Sequence, residues 1–138
     1  MKVKCIKLIS PHTQEIIESC PWLTIGRIYH VLEVSFEQKG VLKFRFLGDD
    51  KITPALHDAQ QFELVSNKIP EEWCVKFVPD SFLELTPKAW AYDNFWEDYF
   101  NGEPEAERIF LEVTKKIVAD EPVEDPSKPS FFPPWSPF

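Results

Sequence analysis

Glycine is scarce in this chain, with 4 among 138 residues, and the lone methionine is Met1. No Gly-rich loop of the kind that cradles phosphates is present. H-E-x-x-H and G-x-S-x-G are also missing, so the common zinc-protease and serine-hydrolase signatures have no foothold. Cys5, Cys20 and Cys74 are odd in number and lack C-x-x-C spacing. That pattern suggests neither a zinc knuckle nor a disulfide framework, and free thiols in a reducing cytoplasm are expected. No stretch approaches the ~20 apolar residues of a membrane helix. Residues 1–10 alternate Lys with apolar side chains instead of running from a basic start into an apolar core, so no secretory leader is expected. Bound metal and cofactors are not expected either.

What the chain does have is apolar mass: 43% hydrophobic residues, of which the aromatics supply 14% of the whole sequence. Burying that surface offsets the entropy of ordering one domain. The net charge of −8 is unevenly placed. Residues 1–92 are nearly balanced. Residues 93–125 carry Asp93, Glu97, Asp98, Glu103, Glu105, Glu107, Glu112, Asp120, Glu121, Glu124 and Asp125 against Arg108, Lys115 and Lys116. Such a field repels phosphate backbones and attracts a basic protein surface, which points away from nucleic acid and toward a protein partner.

Period-two patterning dominates the first half. Val3 to Ile9 reads as a strand. Ile28, His30, Leu32, Val34 and Phe36 share one face of a run over 28–36, with Tyr29, Val31, Glu33 and Ser35 on the other. A turn at Glu37–Gly40, with Gly40 free to take positive φ, leads to Leu42, Phe44 and Phe46 alternating with Lys43 and Arg45. These runs predict a hairpin. With a short strand at 62–65, about four strands are expected in residues 1–68, bent into a small antiparallel sheet or barrel.

Helical signals begin near Pro87. Asn94 with Glu97 has the form of a capping box, ahead of Phe95, Trp96, Tyr99 and Phe100. Trp96 is the clearest core tryptophan, whereas Trp90 and Tyr92 are candidates for exposure. Pro104 and Glu105 suit a helix start, and Ala106, Ile109, Phe110, Val113 and Ile117 recur on one stripe. Residues 87–119 are therefore expected to be mainly helical, completing a single α+β domain over 1–120. Residues 121–138 form an extended tail in which prolines interleave with Phe131, Phe132, Trp135 and Phe138; its end is expected to pack on the domain or on a neighbour.

Candidate chemistry is thin. His57 beside Asp58 resembles a general base with an orienting carboxylate, but adjacent side chains point apart in extended chain and no nucleophile accompanies them. His30 reads as a core or edge histidine. Asp49–Asp50 needs no metal to account for a Gly-Asp-Asp-Lys turn.

Leu23 to Val34, with Gly26, Tyr29, Val31 and Leu32, resembles the opening of small bacterial SH3-like barrel domains. Leu85 to Trp90 and Phe95 to Ala106 are similar to segments of small immunity proteins from contact-dependent and polymorphic toxin systems of Gram-negative bacteria. The resemblance implies an SH3-like N-terminal part, cytoplasmic occlusion of a cognate toxin domain, and no catalytic residues. A nuclease toxin would offer a basic surface. Trp90, Tyr92, Asp93, Glu97, Asp98, Glu103, Glu105 and Glu107 are the expected contact residues. The competing readings are an SH3-like adaptor with an aromatic groove near Tyr29, and an enzyme built on His57 and Asp58.

Overall fold

In a computed structural model of the chain, residues 1–122 are described. Strands β1 (Lys2–Cys5), β4 (Ile28–His30) and β8 (Phe62–Ser66) form a three-stranded antiparallel sheet in the order β4-β1-β8. Strands β5 (Glu33–Glu37), β6 (Leu42–Leu47), β7 (Pro54–Asp58), β9 (Trp73–Val78) and β10 (Phe82–Pro87) form a five-stranded sheet ordered β7-β6-β5-β10-β9. A two-stranded ribbon joins β2 (Leu8–Ile9) to β3 (Ile16–Ile17). Two helices, α1 (Phe95–Phe100) and α2 (Pro104–Asp120), close the fold.

The hairpin predicted around residue 39 is β5–β6, with Val34 opposite Phe44 and Phe36 opposite Leu42. Its turn needs Gly40 for space and not for positive φ: a Cβ there would lie 2.8 Å from Glu37 Cβ. The single strand expected over 28–36 is instead two. Between them Val31 and Leu32 are buried and turn a corner. The Val31 amide donates to the Met1 carbonyl at 3.0 Å, and the next amide, of Leu32, to the Arg45 carbonyl at 2.8 Å. Consecutive residues thus hand the chain from one sheet to the other.

That corner also corrects the barrel expectation. The sheets do not close into an SH3-like barrel: β4 and β8 flank the small sheet, and β7 and β9 flank the large one, each with a single strand neighbour. The physical cause is twofold. The strand that would have run through both sheets is broken at Val31–Leu32, and β9–β10 extends the large sheet outward beyond β5. Residues 1–68 hold eight short strands where about four were expected, and the β9–β10 hairpin was not anticipated.

Phe46, fully buried, joins the sheets. It stacks on Tyr29 at 4.6 Å and on His57 at 4.7 Å between ring centroids, with Phe62 edge-on at 5.3 Å. The opposite face of the large sheet receives the helices. Ala106, Phe110, Val113 and Ile117 of α2 are buried as the 3.6-residue period requires, with Thr114 added and Ile109 at the margin. Trp90 packs between Phe95 and Phe110, at 5.3 and 5.4 Å. The capping box does not form: Asn94 adopts φ 68° and its side chain caps nothing, the short α1 being closed instead by backbone bonds into the Gly102 turn. Helix α2 continues to Asp120 with no basic residue in its last turn.

Candidate functional site

The helical part is fixed to the sheet by one buried carboxylate. Glu33 is 1% exposed on the helix-facing side of β5. Its Oε2 accepts from Thr86 Oγ1 at 3.0 Å, from Trp90 Nε1 at 3.2 Å and from Trp96 Nε1 at 3.3 Å. Its Oε1 accepts from Arg45 Nε at 3.3 Å, and the same guanidinium lies 4.0 Å over the Trp96 ring and donates to the Pro54 carbonyl at 2.8 Å. A buried charge is tolerated when its lone pairs are filled in this way. Nearby Glu84 has its pKa raised, first by burial and then by the charge of Glu33. This cluster orients side chains and offers no open face to a substrate.

The expected contact residues divide on inspection. Trp90 is 2% exposed and committed to Glu33, so it belongs to the core and not to a surface. Tyr92 is 44% exposed. Asp93 is exposed but paired with Lys76 Nζ at 3.2 Å. Glu97, Asp98, Glu103 and Glu107 gather where α1 turns into α2, and none of them makes an ion pair among the described residues. The turn itself brings them together: the Glu103 amide donates to the Asp98 carbonyl at 3.0 Å, and the Glu107 amide to the Glu103 carbonyl at 3.1 Å. Tyr92 and Tyr99 report the resulting field. Partial desolvation and then the charges of Asp98 and Glu105 push the Tyr92 phenol up, while burial and then Glu107 do the same to Tyr99.

Among the described residues, the other carboxylates of the acidic segment are paired at home. Arg108 bridges Glu105 and Glu112, with Nε to Glu105 Oε2 at 3.0 Å and Nη1 to Glu112 Oε2 at 3.0 Å. Asp120 pairs with Lys68 at 2.8 Å, and Glu121 meets the Met1 ammonium at 2.7 Å and the Ser66 hydroxyl. The negative surface is therefore smaller than residues 93–125 suggest. It is a corner, not a whole helix.

His57 and Asp58 make no hydrogen bond to one another. His57 stacks on Phe46 while the Asp58 carboxylate turns away to accept from the Gln60 amide at 2.9 Å. Burial, and then the Arg45 charge, lower the His57 pKa to about 4, so the ring is neutral near pH 7. A depressed histidine pKa stabilises the fold fully above its unfolded value and progressively less as pH falls toward 4. Acidification from pH 7 to 5 should therefore cost on the order of 1–2 kcal/mol through this ring. Urea titrations at both pH values should show that H57L narrows the difference.

Asp49 holds a local network. Its carboxylate accepts from Thr24 Oγ1 at 2.6 Å, Arg27 Nη1 at 2.8 Å and the Tyr29 hydroxyl at 2.8 Å. Tyr29 is 5% exposed and also accepts from the Thr24 amide at 2.9 Å, so its ring is mostly withdrawn into the core behind the shallow pocket it lines with Ile28, His30 and Leu47. Removing that hydroxyl in Y29F should cost about 1–2 kcal/mol in chemical denaturation, because the Thr24 amide loses its acceptor and the Asp49 carboxylate loses a donor. Cys5 is buried and its thiol is pushed up by that burial; Cys20 and Cys74 are half-buried and unpaired. Among the described residues no three His, Cys, Asp or Glu side chains converge to hold a metal ion. No helix there is long and apolar enough to cross a membrane.

Sequence reasoning missed Glu33 as the pivot of the fold. The available signal was its alternation with Ser35 opposite two tryptophans able to donate, but a glutamate on a polar strand face ordinarily reads as solvated. No protein-family model, curated protein or solved structure matches the chain.

Proposed function

We propose that this protein is an immunity-type inhibitor that binds a basic toxin domain through the acidic corner between α1 and α2. The observation that carries the reading is the set Glu97, Asp98, Glu103 and Glu107, without cationic partners among the described residues and adjoining the half-exposed Tyr92 ring. The turn fixes the backbone spacing of these carboxylates, so only their side chains remain to be ordered when a cationic surface docks. Their summed field steers encounter and aligns the partner, while an aromatic ring at the edge supplies apolar contact. The same surface would compete with a phosphate backbone for the basic cleft of a nuclease. The resemblance of Leu85–Trp90 and Phe95–Ala106 to immunity proteins is the ground for taking the basic partner to be a toxin domain.

The test uses a basic toxin domain as partner, sought first in the adjacent reading frame. Asp98→Asn, Glu103→Gln and Glu107→Gln together remove charge at nearly constant shape, and surface changes of this kind alter stability by only about ±0.5 kcal/mol each. Calorimetry should show affinity weakened by about 10- to 100-fold, chiefly through slower association. Unchanged affinity would refute the acidic corner as the contact.

A further inference from the structure

A second surface lies on the large sheet, on the face away from the helices. Leu42 pairs with Phe36, Phe36 with Leu83, and Leu83 with Phe77, so four apolar side chains form one row across β6, β5, β10 and β9. All four are exposed, Phe77 most of all at 64%, and Val75 beside them is 62% exposed. The adjacent row, Phe44, Val34 and Leu85, packs against the core. The small sheet thus covers one half of this face and leaves the other half bare. A contiguous apolar patch of this kind marks an interaction site.

We infer that the occupant is the chain's own C-terminal segment, with Phe131, Phe132, Trp135 and Phe138 laid on the row from Leu42 to Phe77. The argument rests on composition, reach and charge. The segment carries four aromatic side chains that need apolar cover, and its prolines lack the N–H needed to add a strand to the open edge of β9. It therefore suits a face and not an edge.

Reach follows from two anchors. Asp120 is held 2.8 Å from Lys68, and the Lys2 ammonium donates to the Pro122 carbonyl at 3.4 Å. From Lys68 the chain enters β9 at Trp73 and passes Phe77, a contour of about 30 Å at most. A proline-rich segment advances about 3.1 Å per residue, so Phe131 can lie about 28 Å and Trp135 about 40 Å from Pro122. Those reaches are comparable to or longer than that contour, so the tail aromatics can arrive at the row. Charge decides against the other apolar candidate, a second copy, since two molecules of net charge −8 repel. Tethering gives the segment an effective concentration in the millimolar range without that repulsion.

The experiment compares full-length protein with the F131S/F132S/W135S/F138S chain by methyl and aromatic NMR. Sedimentation velocity across a tenfold concentration range accompanies the spectra. In the wild type, nuclear Overhauser contacts should link the tail aromatics to Val75 and Leu83, independent of concentration. In the variant those methyl resonances should shift, others should not, and an apolar dye should bind several-fold more strongly. Val75 and Leu83 signals indifferent to the substitutions, with no contacts in the wild type, would overturn the inference. So would contacts that grow with concentration alongside a dimer, which would assign the face to a second copy.

Discussion

Glu33→Ala should lower the stability of this protein by about 3–5 kcal/mol, the range seen when one partner of a buried ion pair is removed. The substitution does more than delete a charge. It strands the Arg45 guanidinium, which is only 12% exposed, and leaves the Thr86 hydroxyl and the indole N–H groups of Trp90 and Trp96 without their shared acceptor. Each unsatisfied buried donor adds about 1–3 kcal/mol of desolvation cost, partly relieved by entering water. Because the four donors come from β6, β10, the turn at Lys88–Trp90 and α1, the loss should be felt where helices meet sheet. Thermal unfolding should drop by roughly 10–20 °C for a domain of this size. Hydrogen exchange should accelerate first in α1 and α2. Glu33→Gln, which keeps an acceptor but not the charge, should recover part of the loss; an E33A chain as stable as the wild type would mean the carboxylate is incidental.

Trp90→Ala is the second large effect, and it separates a structural role from a binding one. Trp90 is 2% exposed and stacks between Phe95 and Phe110. Its removal should cost about 3–5 kcal/mol, as for other large aromatic truncations in packed cores. Measured on the folded fraction, however, affinity for a basic partner should stay within about twofold. Tyr92→Ala should do the reverse, leaving the denaturation midpoint nearly unchanged and weakening the complex by about 1–2 kcal/mol. A Trp90 variant of wild-type stability and lost affinity would return this tryptophan to the contact surface.

These two neighbours show where the sequence is legible. Strict alternation over Val34–Phe36 and Leu42–Phe46 locates a hairpin because one face is buried and the register has no equivalent alternative. The stripe of α2 is equally plain, since Ala106, Phe110, Val113 and Ile117 follow the helical period. Trp90 and Tyr92 have no such pattern around them; which of them is buried depends on Glu33, far away in sequence. The corner at Val31–Leu32 is hidden for a related reason. Both residues continue an alternating run, and only the divergent hydrogen bonds to Met1 and Arg45 break it. The β9–β10 hairpin escapes notice because its apolar positions Val75, Phe77 and Leu83 face outward, against the pattern of a half-buried strand. Charge is legible only in total. The pairing of Arg108 with Glu105 and Glu112 follows from helical spacing, but that of Asp93 with Lys76 and Asp120 with Lys68 requires the fold.

The most direct measurement is the association rate of the full-length protein with the basic toxin domain proposed as its partner, followed by stopped-flow fluorescence from 25 to 500 mM salt. Over that range the screening length contracts from about 20 Å to about 4 Å, shorter than the span of the corner. If Glu97, Asp98, Glu103 and Glu107 steer the encounter, the rate constant should fall at least about tenfold while the dissociation rate changes little. An association rate indifferent to salt would contradict the account.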